Sequence, residues 1–167
     1  MHRMVIGVDN GVTGSIGFLS ADSGVASFIH TPVRSELSYT KTKKHISRID
    51  FQALQEIFHC QYELFCGSIF AAVERPMINP GRFTATVSAT RALEATLIAL
   101  EQAKIPYVYC DSKEWQRHLL PKGLEKEELK FASLSIGKRR FPSVDFKGFK
   151  DADGLLIALW WHDVHNR

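Results

Sequence analysis

Met4-Val5-Ile6-Gly7-Val8-Asp9, then Asn10-Gly11-Val12-Thr13-Gly14, then Ser15-Ile16-Gly17-Phe18-Leu19 is the stretch that sets the frame for the whole chain. Residues 4–9 carry no polar side chain until the closing aspartate. Such a segment is apolar on both faces, which suits a strand at the centre of a sheet. Asn10-Gly11 and Thr13-Gly14 are turn signals. Residues 15–19 read as a second strand, Asp22-Ser23-Gly24 as another turn, and residues 25–29 as a third strand. Three strands joined by short turns make an antiparallel meander.

Outward from the meander, Thr31 to Lys44 is polar, basic and without period, which predicts a surface loop. Residues 49–65 carry Leu54, Ile57, Phe58 and Phe65 at helical spacing. Ser68 to Val73 is a fourth apolar strand that ends at Glu74, because Arg75-Pro76 and Asn79-Pro80-Gly81 forbid its continuation. Residues 84–104 form the longest helical pattern, with Ala85, Ala89, Ala92, Leu93, Thr96, Leu97 and Leu100 recurring on one face. That small-residue face suits close packing, either on the chain's own sheet or on a second copy.

Residues 105–110 read as a fifth strand, and Asp111-Ser112 caps a short helix through Leu120. Residues 126–137 form a charged helix, and residues 138–148 a loop. A last helix starts near Asp151, with Ala152, Leu155, Leu156, Leu159 and Trp160 as its apolar stripe. The fourth and fifth strands each follow a helix, so each can join the first in parallel by a right-handed crossover. The expected fold is α/β, a five-stranded mixed sheet with helices on both faces.

The 167 residues are 45% hydrophobic and 23% charged, which fits one globular domain over residues 1–167 and excludes a disordered or fibrous chain. No apolar run reaches membrane-spanning length; Gly154 to Trp161 is the longest. Cys60, Cys66 and Cys110 are odd in number and lack zinc-site spacing, and no secretory signal is read at the start. A reducing cytoplasm is the expected setting. Twenty-one basic against 18 acidic residues give only +3. The bases are clustered, however: Arg34, Lys41, Lys43, Lys44 and Arg48 in one segment, Lys138, Arg139, Arg140, Lys147 and Lys150 in another. These are either two solvated loops or the footprint of an anionic polymer.

The carboxylates carry the chemistry. Asp9 ends the first strand and Glu74 the fourth, so parallel pairing puts both at one carboxyl edge, where open α/β sheets place their sites. Asp153 lies in the first turn of the last helix, close in angle to Leu156 and Trp160, facing that edge. Acids so placed repel one another unless a cation neutralises them. Oxygen ligands favour hard divalent ions, hence Mg2+ or Mn2+. Two such ions about 4 Å apart serve phosphodiester hydrolysis.

Three segments resemble the active-site motifs of RuvC-type Holliday junction resolvases, members of the ribonuclease H-like superfamily. They are Ile6-Gly7-Val8-Asp9-Asn10-Gly11, Val73-Glu74-Arg75-Pro76, and Lys150-Asp151-Ala152-Asp153-Gly154 running on to Leu159. Tyr107-Val108-Tyr109 and Lys113-Glu114-Trp115-Gln116 are similar to the family's strand and tryptophan-bearing helix. The basic segment and the Pro-Gly stretch look most like the phage-type branch. The resemblance spans nearly the whole chain. It implies a ribonuclease H-like fold, two metal ions per site, and a homodimer that cuts four-way junctions or other branched DNA by paired nicks.

It also implies Asp9, Glu74 and Asp153 as catalytic metal ligands. The family's fourth ligand falls where this chain has Lys150, which leaves Asp151 as the substitute. In a regular helix Asp151 and Asp153 would point about 200° apart. Asp151 therefore converges only if it precedes the helix on extended backbone; otherwise it is a plain cap. Gly154 stands where the family commonly has alanine.

Backbone phosphates would be held by Lys41, Lys43, Lys44, Arg48, Lys138, Arg139 and Arg140, with Arg82 reaching from the Pro-bounded loop. In that loop Met77 or Phe83 could wedge into a junction, while Ile78 reads as local packing. His118, His162 and His165 read as surface residues, and Trp160 and Trp161 as core and its border. A kinase-like ATPase shares the Gly7-Val8-Asp9-Asn10-Gly11-Val12-Thr13 opening but needs a second domain. A less selective ribonuclease H-type nuclease, or a branched-DNA binder without catalysis, are the remaining alternatives.

Overall fold

The computed structural model describes residues 3–38 and 41–165; residues 1–2, 39–40 and 166–167 lie outside it. Its central element is β1 (Met4–Asp9), which pairs antiparallel with β2 (Ser15–Ser20), itself antiparallel to β3 (Ala26–His30). β6 (Ile69–Glu74) lies on the other side of β1 in parallel, and β7 (Tyr107–Cys110) pairs parallel to β6. The five-stranded order is β3-β2-β1-β6-β7. This is the mixed sheet expected from the sequence, with the meander on one side and both crossovers on the other.

The period-two rule explains why β1 is apolar throughout. Met4, Ile6 and Val8 enter one core with Leu54 and Phe58 of α1 (Phe51–Leu64) and Ala92, Ala99 and Leu100 of α2 (Phe83–Gln102). Val5 enters a second core on the opposite face. There it meets Trp115 of α3 (Ser112–Leu119), Leu155 to Leu159 of α5 (Asp153–His165), and Phe141 and Phe146 after α4 (Lys126–Arg140). Ala92, Thr96, Leu97, Ala99 and Leu100 of α2 are buried, whereas Ala85 near its start is exposed and Ala89 half-buried. α1 begins after Asp50, whose carboxylate accepts from the Ala53 amide at 3.3 Å. α3 opens with a capping box of Asp111 and Glu114.

Glycine lets α5 lie almost directly on the sheet. A methyl group at Gly7 would run into Gly154 O and Ala158 N, and one at Gly17 into the Leu155 backbone. One at Gly154 would stand 2.5 Å from Ser15 O. Gly154 therefore has a structural reason in this chain. Its amide donates to Ser15 Oγ at 3.2 Å, joining residues 139 positions apart.

Two parts of the sequence reading need correction. The stretch read as a loop contains β4 (Val33–Leu37), paired antiparallel with β5 (His45–Ile49) as a separate two-stranded ribbon. Much of the ribbon is exposed, so its sequence shows no apolar alternation. Lys138, Arg139 and Arg140 are not in a loop but in the last turn of α4, where basic side chains favour the helix dipole. The helix read as ending at Gly137 runs on to Arg140, and Gly137 is a buried helical position facing Ala152 and Phe146, with no room for a side chain.

Candidate active site

β1 and β6 run parallel with Val8 opposite Val73, so Asp9 and Glu74 leave the sheet side by side. α5 begins over the same edge. Carboxylate oxygens of Asp9, Asp151 and Asp153 all lie within 4.8 Å of one another. Asp151 precedes α5, as convergence required, and accepts from the Asp153 amide at 3.4 Å. It is both a ligand candidate and a cap.

Neighbouring elements orient two of the acids. Trp115 is fully buried, and its indole Nε1 donates to Glu74 Oε2 at 2.8 Å. α3 is pinned in place by Arg75, whose guanidinium makes paired bonds to Asp111 at 2.9 and 2.6 Å. Ser133 of α4, also fully buried, donates to Asp153 Oδ1 at 2.5 Å and accepts from the Ala152 amide at 3.0 Å. Lys130, one turn earlier, holds its ammonium 3.9 Å from Asp151 Oδ2. Sequence reasoning missed Ser133 and Lys130. No motif marks them, although both sit one helical turn apart on the side of α4 that faces the start of α5.

The electrostatics follow from crowding. Burial, then Asp153, Glu74 and Asp151, push Asp9 well above the usual carboxylate range. Burial raises Glu74 to about 7 against the Trp115 bond, and Asp153 and Asp111 add to the rise. Burial and Asp151 raise Asp153 to about 6, opposed by Ser133 and Lys130. Hard carboxylate oxygens held this close, with Asp9 and Asp153 resisting ionisation without a counter-ion, form a set that fits a divalent cation.

The sign of the pH dependence is fixed by these shifts. Below pH 4 the folded and unfolded chains are both protonated at these acids. Between pH 4 and 7 the unfolded chain releases protons that the folded chain keeps, so stability falls as pH rises. Without divalent ions, the parent should therefore lose Tm relative to Glu74→Gln across this window. The Glu74 shift alone corresponds to about 3 kcal/mol, or roughly 6–12 °C. Added Mg2+ should raise the parent's Tm more at pH 8 than at pH 5. A parent and variant that track each other at every pH would mean that Glu74 is not strained.

The remaining predicted contact residues are spread out. Met77 and Ile78 are 79% and 61% exposed on the loop that follows Glu74; Phe83, expected in that loop, is instead the first residue of α2 and is 74% exposed, with Arg82 exposed beside it. Ile78 is therefore not packed as expected. Lys41, Lys43 and Lys44 are exposed between the two ribbon strands. Arg48 is held by Glu36 at 3.0 and 3.2 Å. Arg140 lies 3.9 Å from Asp163, ten positions along α5 from Asp153, which is about 15 Å. Lys138 to Arg140 are thus not brought to the carboxylate edge. His118 and His165 are exposed, and His165 stacks on Trp161 at 3.6 Å. Cys60 and Cys66 are exposed, and all three cysteines are free. Among the described residues no helix is long and apolar enough to cross a membrane.

No family model and no curated protein matches the sequence. Solved structures do match in three dimensions. RuvC of T. thermophilus in complex with a Holliday junction substrate aligns over 95% of this chain and 92% of its own, with a TM-score of 0.61 and 18% identity. The fold is that of RuvC. A second structure of Thermus thermophilus RuvC aligns over 94% and 92%, at a TM-score of 0.54 and 16% identity. The yeast mitochondrial Holliday junction resolvase Ydc2 aligns over 96% of this chain and 78% of its own, at 0.48 and 20%. The five-stranded mixed sheet expected from the sequence is the one observed.

Proposed function

We propose that this chain is a metal-dependent endonuclease that resolves four-way and other branched DNA by paired, symmetric nicks. The observation that carries the reading is the convergence of Asp9, Asp151 and Asp153 on a RuvC-type sheet, with Glu74 aimed at the same edge by Trp115. The Holliday junction in the complex of T. thermophilus RuvC supports branched DNA as the substrate class.

Asp9, Glu74, Asp151 and Asp153 would hold two Mg2+ or Mn2+ ions. Bound there, the metals would supply an activated water and stabilise the leaving oxygen of the phosphodiester. The chain's own contribution is to present oxygens already oriented by Ser133 and Trp115. Lys150, exposed beside Asp151, is spared any ligand role by the two-residue spacing. Met77 and Phe83 would unstack bases at the junction, and Arg82, Lys41, Lys43 and Lys44 would hold phosphates. Lys138, Arg139, Arg140 and Arg48 would meet DNA only farther from the cut. A homodimer with two-fold symmetry would make the paired cuts, since a symmetric substrate is most simply met by a symmetric enzyme.

The test is incubation of end-labelled four-way junction, plain duplex and RNA–DNA hybrid, each with Mg2+ or EDTA. Nicks in the junction alone, and only with Mg2+, are expected. In the same assay Asp151→Asn should be strongly impaired and Lys150→Ala nearly parental. Preferential cutting of the hybrid would point to a ribonuclease H-type enzyme. Junction binding without cutting would leave a structure-specific binder.

A further inference from the structure

The ribbon contains an electrostatic conflict that the carboxylate site does not use. Arg34 of β4 stands directly opposite Arg48 of β5 in the antiparallel register. Like charges in that position destabilise a strand pair. Arg91 approaches from α2, so three guanidiniums border one place. Glu36 answers two of them, at 3.0 Å from Arg48 and 3.7 Å from Arg91. Arg34 is exposed and has no partner among the described residues.

The three arginines line a cleft of about 270 Å³ between the ribbon and the middle of α2, with Ile49, Phe51 and Ile98 as part of its apolar floor. Ser47 and Ser88 add hydroxyls, Glu94 adds one more carboxylate, and Val12 closes the end nearest the carboxylates. Val12 belongs to the turn that follows Asp9. That turn is tied to α2 by Asn10, whose amide donates to Ala89 O at 3.1 Å. The cleft thus begins where the metal-binding edge ends. Three guanidiniums against two carboxylates leave one positive charge over. Guanidinium forks match phosphate oxygens better than any other common side chain.

We propose that this cleft is a phosphate site, which takes a backbone phosphate of a DNA strand leading away from the carboxylates. The ribbon then acts as a clamp that fixes the strand at a second point, with Arg34 as the free fork and Glu36 holding Arg48 and Arg91 in place. The assignment of DNA as the polymer rests on the proposed nuclease function; the phosphate chemistry does not.

The test uses Arg34→Glu in the full chain, because Arg34 anchors nothing else. Binding to four-way junction and to plain duplex is measured in EDTA across a salt series, and Tm is measured beside it. Reversal of this charge should weaken DNA binding by roughly 10-fold and flatten the salt slope by about 1. It should also hold or raise Tm, because the Arg34–Arg48 repulsion becomes an attraction. A general structural lesion would lower both quantities together, and that outcome overturns the proposal. So does unchanged affinity with an unchanged slope.

Arg34→Lys keeps the charge but not the fork and should fall between the two. Since EDTA silences cutting, the outcomes separate. Unchanged binding by Arg34→Glu in a parent that cuts junctions removes the cleft and leaves the nuclease. Weakened binding in a parent that never cuts does the reverse.

Discussion

Asp153→Asn should cut four-way DNA at least about 10³-fold more slowly than the parent, while binding it as tightly or more tightly. Metal ions supply several kcal/mol of charge stabilisation in such hydrolyses, and 4 kcal/mol is about three decades in rate. Asparagine keeps the oxygen that accepts from Ser133, so the start of α5 stays in place. What disappears is one negative charge beside the DNA phosphate. Binding and cutting should therefore move in different directions, which a merely unfolded variant cannot do. Single-turnover cutting in Mg2+ and gel-shift titration in Ca2+ or EDTA would read the two quantities. A variant that cuts at the parental rate would refute the assignment of the site.

Gly7→Ala should be among the most damaging methyl additions in the chain. Its new carbon would run into Gly154 O and Ala158 N, and would stand 3.0 Å from the carbonyl carbon of Ile157. All of these are backbone atoms of a helix buried on both sides, so no rotamer change relieves the clash. Overpacking of this kind costs about 1–3 kcal/mol, and more where nothing yields. We expect at least about 3 kcal/mol by urea unfolding, a large part of the roughly 5–15 kcal/mol that holds a domain together. Because α5 must lift to make room, Mg2+-induced stabilisation should fall as well. Gly24→Ala is the control. It has open space around it and a φ of +68°, so it should lose only the roughly 1–2 kcal/mol of a left-handed residue. Equal stability of the two variants would show that the close approach of α5 to β1 is not a tight one.

The sheet was readable because each of its strands announces itself locally. β1 has an uninterrupted apolar run, the meander has Asn-Gly and Ser-Gly turns, and β6 meets Pro76 just after its end. Asp9 and Glu74 were legible for the same reason, as polar residues closing apolar strands. Asp151 was legible only as a condition, that it precede the helix, and the helix start at Asp153 meets it. The ribbon was not legible. Its two strands pair with each other and remain largely exposed, so no buried face imposes a period on the sequence. Gly137 misled for a related reason: a glycine that ends a helix and one that admits a neighbour look alike in one dimension. Ser133 and Trp115 act across the fold, through single hydrogen bonds to residues 20 and 41 positions away. Nothing in their immediate sequence marks that partnership.

The hydrogen bond from Gly154 to Ser15 closes the fold between its first hairpin and its last helix. During synthesis, that hairpin emerges long before its partner. A fragment that stops before Asp151 would contain both Asp9 and Glu74, yet it would lack the two aspartates that converge with Asp9. On the proposed nuclease reading, a chain truncated before Asp151 should therefore bind no metal at this edge and cut nothing.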